Sequence, residues 1–210
     1  PAYNPIVAGG ENACVLHYVE NNQQLNNDDL LLVDAGCEYE MYAADITRTF
    51  PVSGKFSDEQ LAIYKVVLDA MNAAIDMVKP GNHIMQPQEI SEKVITEGLV
   101  KLGLLDGDPE ELHKNGAYKE FYMHKIGHWL GLDVHDAGDY VEGEEYMKFK
   151  PGMITTIEPG IYISSSMDVD DKWKGIGIRI EDDILVTKDG NENLTKKVPS
   201  DPEEIESLMS

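Results

Sequence analysis

Two short apolar runs of similar shape lie far apart in the chain, and each ends in a carboxylate. The first covers residues 29–34, Asp-Leu-Leu-Leu-Val-Asp, and the second covers 152–158, Gly-Met-Ile-Thr-Thr-Ile-Glu. Runs of this length are typical of strands buried on both faces. Each is followed at once by Ala-Gly or Pro-Gly, so that 34–36 matches 158–160. The pattern therefore predicts two related halves.

A second acid follows each run on a stretch of alternating character. Asp45 opens residues 45–49, Asp-Ile-Thr-Arg-Thr, and Glu181 closes residues 178–181, Ile-Arg-Ile-Glu. Alternation of this kind predicts a strand. Each half is therefore expected to supply two acids on neighbouring strands.

Helical spacing marks the segment between the halves. Ser57 with Gln60 three residues later predicts a capping box, followed by an apolar stripe that ends before Pro80. A second helix is expected at about 86–103 and a loop with a short helix at 106–118. A C-terminal helix is predicted for 200–210 from its capping and acidic residues.

The first half has no such helices ahead of it, because the chain opens directly into residues 3–10. One face of the first sheet is then expected to lack its covering helices and to expose apolar area. We therefore expect residues 1–210 to form one catalytic domain that is truncated at its N-terminus.

Composition narrows the classes of function. The 210 residues, 42% of them hydrophobic, suffice for one globular core. The 17 basic residues against 39 acidic ones give a net charge of -22, which argues against nucleic acid or an anionic membrane as partner. No apolar run is long enough for a membrane span, and no signal peptide is recognisable. Cys14 and Cys37 form no disulfide or metal motif, which favours a reducing, cytoplasmic setting.

The four acids at strand ends are the candidate chemistry. A carboxylate there is costly to bury unless it is paired or bound to a metal. Asp34 alone would be read as the cap of a turn. Four acids in duplicated contexts instead predict a site for two hard divalent cations, which need several carboxylates to offset their repulsion.

The motifs around these acids resemble those of the aminopeptidase P family over nearly the whole chain. They read Val-Asp-Ala-Gly at 33–36, Ala-Asp-Ile-Thr-Arg-Thr-Phe-Pro at 44–51, Gly-His-Trp-Leu-Gly at 127–131, Thr-Ile-Glu-Pro-Gly at 156–160 and Gly-Ile-Arg-Ile-Glu-Asp at 177–182. The resemblance implies the α+β pita-bread fold of the methionine aminopeptidase, prolidase and creatinase superfamily, with pseudo-twofold halves. It also implies a hydrolase that removes an N-terminal residue preceding proline.

The resemblance also assigns roles by position. The implied metal ligands, of which Asp45 and Glu181 would bridge, are Asp34, Asp45, His128, Glu158 and Glu181. The other implied active-site residues are the outer histidines His124 and His135, His17 near the proline pocket, and Arg179 supporting the acidic cluster.

The spacing of His124 and His128 could also suggest a zinc site on one face of a helix. Lys125 stands where the zinc peptidases of that type carry their glutamate base, which argues against that interpretation. His83 and His113 lie in turn or loop contexts and are interpreted as structural or solvated.

A mechanism and a cofactor follow from these parts. Two metals bridged by water would present hydroxide near neutral pH to the carbonyl before proline. Glu158 would relay the proton, and His135 would stabilise the oxyanion. His124 would help to hold the peptide, and Asp34 would help to bind the free amine of the substrate. The oxygen-rich ligand set favours two Mn²⁺, with Co²⁺ or Zn²⁺ possible.

Two other functions remain open from the sequence. A dipeptidase of the prolidase type shares the ligands, but needs a positive group to read the free C-terminus of its substrate. A non-catalytic peptide-binding protein would use the same fold, although the complete ligand set argues against it. The expected partners are peptides with proline in second position, and the full-length protein is expected to form a homo-oligomer.

Overall fold

The computed structural model describes all of residues 1–210 as a mixed helix and sheet structure. The helices are α1 (Asp58–Ile75), α2 (Gln86–Lys101), α3 (Pro109–Asn115) and α4 (Pro202–Met209). The strands are β1 (Ile6–Gly9), β2 (Leu30–Asp34), β3 (Glu38–Tyr39), β4 (Tyr42–Ala43), β5 (Thr47–Pro51), β6 (Val141–Glu142), β7 (Glu145–Tyr146), β8 (Ile154–Ile157), β9 (Gly160–Ile163), β10 (Ile176–Arg179), β11 (Asp182–Val186) and β12 (Asn191–Asn193).

The two predicted halves are present as two three-stranded antiparallel sheets. The first has the order β1-β2-β5 and the second β12-β11-β8. Asp34 ends β2 and Glu158 directly follows β8, whereas Asp45 and Glu181 lie just before β5 and β11. The strand predicted over 45–49 starts two residues later, at Thr47, and the one predicted over 178–181 ends two residues earlier, at Arg179. The four acids lie at strand ends, as the sequence predicts. The acids stand at matching strand ends, because the chain turns there to enter each second strand.

The β9–β10 ribbon joins the halves. In this ribbon Gly160 pairs with Arg179, and β9 follows β8 along the chain after two residues. β10 also lies against the first sheet, where the Thr49 hydroxyl donates a hydrogen bond of 2.9 Å to the carbonyl of Arg179. The strand ends of both halves are thereby brought to one place.

α1 packs against strands of the second half, and α1 and α2 supply many residues of the main core. The capping box of Ser57 and Gln60 is confirmed at the start of α1. α1 ends at Ile75 rather than near Pro80, and the following turn still buries Val78 completely. Gly98 of α2 lies against Val66, which leaves no room for a larger side chain and lets the two helices approach closely.

The first sheet has a smaller core on one face and an open apolar surface on the other. Its inner cluster consists of five buried residues, Ile6, Ala8, Ala13, Tyr18 and Leu32. The opposite face forms a groove of about 450 Å³ with α4 and the segment before it, lined chiefly by Val33, Ile46, Phe50, Val198, Ile205 and Leu208.

None of the helices combines the length and the apolar character that crossing a membrane would need.

Candidate metal centre

Acids from both halves converge with one imidazole. One donor atom each from Asp45, His128 and Glu181 lie within 4.8 Å of one another. His128 Nε2 is 3.5 Å from Asp45 Oδ2 and 3.6 Å from Glu158 Oε1. Asp34 belongs to the same group, because one tyrosine hydroxyl contacts both Asp34 and Asp45. The structure therefore brings together all five residues predicted as metal ligands.

His128 is held by β8 rather than by a helix. Its backbone N–H donates to Thr156 Oγ1 at 3.1 Å, and its carbonyl accepts from the Thr156 N–H at 2.9 Å. Ring Nδ1 lies 3.0 Å from the carbonyl of Trp129, which can only accept, so Nδ1 carries the hydrogen. Nε2 is then free to face the acids, as an imidazole ligand requires.

Burial and mutual repulsion set the charge of the acids. Burial raises the pKa of Glu158 to about 7, and nearby Asp45 adds to this while Arg179 and His128 oppose it. Burial raises the pKa of Glu181 well above its usual range, and the neighbouring carboxylates raise it further. Glu181 is 1% exposed. Buried like charges of this kind are relieved by a divalent cation, so the donor set fits a metal.

Asp45 and His128 form a pair with opposite tendencies. Burial disfavours the charged form of Asp45, but hydrogen bonds with His128 and Tyr3 lower its pKa overall. Burial likewise opposes charge on His128, whereas its hydrogen bond with Asp45 raises its pKa. Asp45 therefore stays ionised near neutral pH.

Arg179 contacts the acidic cluster directly. Its Nη2 lies 2.6 Å from Asp34 Oδ2, and both side chains are largely buried. Its Nε donates to Thr47 Oγ1 at 3.3 Å, and that hydroxyl donates to Glu181 Oε2 at 2.6 Å. Arg179 therefore lies beside the acids that the sequence predicts it to support.

Two tyrosines belong to the site although no sequence pattern singled them out. The Tyr3 hydroxyl is 2.5 Å from Oδ1 of both Asp34 and Asp45. The Tyr162 hydroxyl lies 2.8 Å from His124 Nε2 and accepts from Arg179 Nη1 at 3.2 Å. Tyr162 follows the second acid-bearing strand by a few residues, which is the only signal that could have suggested it.

Arg48 joins the halves behind the acids. Its guanidinium pairs with Asp182 at 2.7 Å and donates to the carbonyls of Glu181 and Val198 at 2.6 and 2.7 Å. Asp183 instead accepts from the backbone N–H of Asp45 at 3.1 Å. Asp182 and Asp183 thus serve the framework, and neither was predicted to be a ligand.

A cavity of about 460 Å³ opens above the cluster. His135 lies at its wall, with its ring centroid 4.4 Å from that of His128 in an edge-on arrangement. His83 and His113 lie outside this cavity. The backbone of His83 forms a β-bridge with that of Lys148, and His113 Nε2 lies 3.4 Å from Glu92 Oε2. The cavity contains every predicted site residue and four others; its lining is Leu16, His17, Asp34, Asp45, His124, Lys125, Gly127, His128, His135, Tyr140, Glu158, Arg179 and Glu181.

Relatives and solved structures agree on the family. The family model described as metallopeptidase family M24 matches residues 1–188. The Xaa-Pro aminopeptidase of Haemophilus influenzae is 54% identical over the whole chain, which covers 49% of that protein, and that of Escherichia coli is 50% identical, with 47% covered. The solved aminopeptidase PepP of Pseudomonas aeruginosa is 56% identical with a TM-score of 0.98, over the whole chain and 48% of its own.

The fold is likewise shared with Escherichia coli aminopeptidase P in complex with the inhibitor Pro-Leu, at a TM-score of 0.96 and 50% identity, covering the whole chain and 47% of that structure. The chain spans about half the length of the curated relatives it matches. With the family model matching most of the sequence and the pita-bread fold shared throughout, this chain belongs to metallopeptidase family M24.

Proposed function

We propose that residues 1–210 are the catalytic domain of a metal-dependent Xaa-Pro aminopeptidase, which hydrolyses the bond between an N-terminal residue and proline. The observation that carries this proposal is the convergence of four carboxylates and one imidazole at the floor of a single cavity. The names of the two relatives described above support the same activity.

Asp34, Asp45, His128, Glu158 and Glu181 would hold the metal. Carboxylates outnumber nitrogen donors and no thiolate is present, which favours two Mn²⁺, with Co²⁺ or Zn²⁺ as substitutes. When bound, the cations would polarise the scissile carbonyl and lower the pKa of water. The remaining steps depend on the side chains of the chain itself.

Glu158 is suited to proton transfer. Its carboxylate lines the cavity and lies 3.6 Å from His128 Nε2, where it can accept a proton from the attacking water and pass it on. Asp34 is the proposed partner of the substrate's free amine, because its carboxylate lines the cavity and its other contacts are to Arg179 and Tyr3.

The two outer histidines act as neutral groups. Burial lowers the pKa of His124 to about 4, and burial together with His128 lowers that of His135. His135 can therefore donate a hydrogen bond to a developing oxyanion without carrying charge. His124 already uses both ring nitrogens, on the Lys125 carbonyl and the Tyr162 hydroxyl. It contacts the peptide only by exchanging one of these bonds.

The proposed substrates are peptides with proline in second position. The inhibitor Pro-Leu, bound by the Escherichia coli aminopeptidase P, begins with the residue that would follow the scissile bond. His17 lines the same cavity and is proposed to border the proline. A cytoplasmic location is proposed because both cysteines are free, and a homo-oligomer is proposed for the longer protein.

The test is metal-dependent release of the first residue. The Mn²⁺-loaded chain should cleave X-Pro-Y peptides and lose this activity on chelation. Glu158→Ala should abolish turnover, whereas His83→Ala, a substitution outside the cavity, should leave it nearly unchanged. Equal cleavage of X-Pro dipeptides would instead assign a prolidase, and equal kinetics for the two variants would refute the site.

A further inference from the structure

Lys125 is a cationic side chain at the wall of the cavity. It follows His124 directly and is exposed to solvent. No carboxylate lies within 4.0 Å of its ammonium group. Lys125 is the lysine that lines this cavity, so its ammonium is available to an anionic ligand bound there.

The other permanent cation of the cavity is already engaged. Arg179 pairs with Asp34 at 2.6 Å and donates to Thr47 and Tyr162, and it is 4% exposed. A substrate anion that entered the cavity would therefore find Lys125 as the cationic side chain free to bind it.

The lysine is placed by aromatic rings. Its Nζ lies 5.4 Å from the centroid of the Tyr140 ring, within the range of a cation–π contact. Tyr140 in turn stacks on the buried Trp129, with ring centroids 5.7 Å apart. The ammonium is therefore held near the cavity wall, which reduces the entropy lost when it binds a ligand.

We propose that Lys125 is a specificity residue that binds a carboxylate on the part of the peptide beyond proline. The floor of the cavity is acidic and suits the substrate's amine, so the opposite charge at the wall suits an anion towards the other end of the peptide. That anion is either the C-terminal carboxylate of a short peptide or an acidic side chain after proline. This inference rests on the proposed function.

Steady-state kinetics of the Mn²⁺-loaded full chain test the proposal. The probes are an X-Pro-Leu free acid and its C-terminal amide, and, for the side chain, amidated X-Pro-Asp and X-Pro-Asn. We expect KM to be about threefold lower for the anionic member of a pair, with little change in kcat. A change of this size corresponds to the energy of a partly exposed ion pair. The pair that shows the preference identifies which carboxylate is read.

Variants separate a binding role from a structural one. Lys125→Met should abolish the difference in KM between the two members of the pair, Lys125→Arg should keep it, and Lys125→Glu should reverse it. Lys101→Met is the matched control, because Lys101 is exposed at the end of α2 outside the cavity. Its preference should equal that of the wild type.

A second measurement does not depend on turnover. Calorimetry of Pro-Leu against Pro-Leu amide should show the same preference, lost in Lys125→Met. Equal affinities in the wild type, or a preference that survives in Lys125→Met, would overturn the inference. A wild-type chain that cleaves none of the peptides but binds Pro-Leu through Lys125 would instead refute the proposed activity alone.

Discussion

Thr47 and Glu181 are joined by two hydrogen bonds across the boundary between the halves. The Thr47 hydroxyl donates to Glu181 Oε2 at 2.6 Å, and the Glu181 N–H donates to the Thr47 carbonyl at 3.0 Å. Both residues are almost completely buried. An acid of the second half is thus oriented by a hydroxyl of the first.

Replacing this hydroxyl tests the orientation of the acid. Thr47→Val keeps the shape but leaves the buried Glu181 carboxylate without its donor, which costs about 1–3 kcal/mol of folding free energy. We expect Mn²⁺ affinity, measured by calorimetry, to fall about tenfold or more. Thr96→Val is the control, because that buried hydroxyl only donates to the Glu92 carbonyl within α2. Equal Mn²⁺ affinities for the two variants would contradict the prediction.

Removing the tyrosine hydroxyl shared by two acids should weaken the metal centre. Its single hydrogen reduces repulsion between Asp34 and Asp45, so Tyr3→Phe should raise the pKa of Asp45, which the tyrosine helps to lower. Mn²⁺ affinity should then fall about tenfold, and its pH dependence should move to higher pH. Calorimetric titrations across pH measure both effects. Tyr39→Phe, at an exposed hairpin, should change neither.

A methyl group at Gly127 should displace the neighbouring imidazole of His128. A Cβ there would overlap the backbone carbonyl of Thr156, which cannot move without disturbing β8. We expect Gly127→Ala to cost about 1–3 kcal/mol in denaturant unfolding and to lose most Mn²⁺ binding. Gly190→Ala meets no atom within 4 Å and serves as the control. A Gly127→Ala protein with wild-type stability would show that this close approach is unimportant.

Metal binding should release protons below neutral pH. Because burial raises the pKa of Glu158 to about 7, this carboxyl is mostly protonated at pH 6 and mostly ionised at pH 8. A metal needs the ionised form, so apparent affinity should rise from pH 6 to pH 8, with more protons released at pH 6 than at pH 8. His128, whose pKa is raised by its hydrogen bond with Asp45, contributes in the same direction. Calorimetry in buffers of different ionisation enthalpy counts the protons. Glu158→Gln should release fewer, and unchanged release would place the titration elsewhere.

The parts that sequence predicts well are those encoded locally. The apolar runs before Asp34 and Glu158 gave two strands, and the side chains of Ser57 and Gln60 gave the start of α1. The repeat placed two acids at the strand ends of each half, and their assembly into one site was implied by the resemblance of the motifs to the aminopeptidase P family.

The parts that sequence could not supply depend on distant contacts. Arg48 and Asp182 are 134 residues apart, and Tyr3 reaches Asp45 over 42 residues. The helical alternative for His124 and His128 also fails for a nonlocal reason. The backbone between them bonds to β8, with the Glu158 N–H donating to the carbonyl of residue 126 at 2.7 Å.

The bonds across the boundary between the halves also have a dynamic consequence. Swinging the halves apart would break the contacts of Arg48 with Glu181, of Asp183 with Asp45, and of Thr47 with Glu181, all of them buried. We therefore expect the two halves to move together rather than about a hinge at this boundary. Under the proposed function, a peptide would enter through the open mouth of the cavity, and its rate of capture should depend on diffusion and charge rather than on a slow separation of the halves.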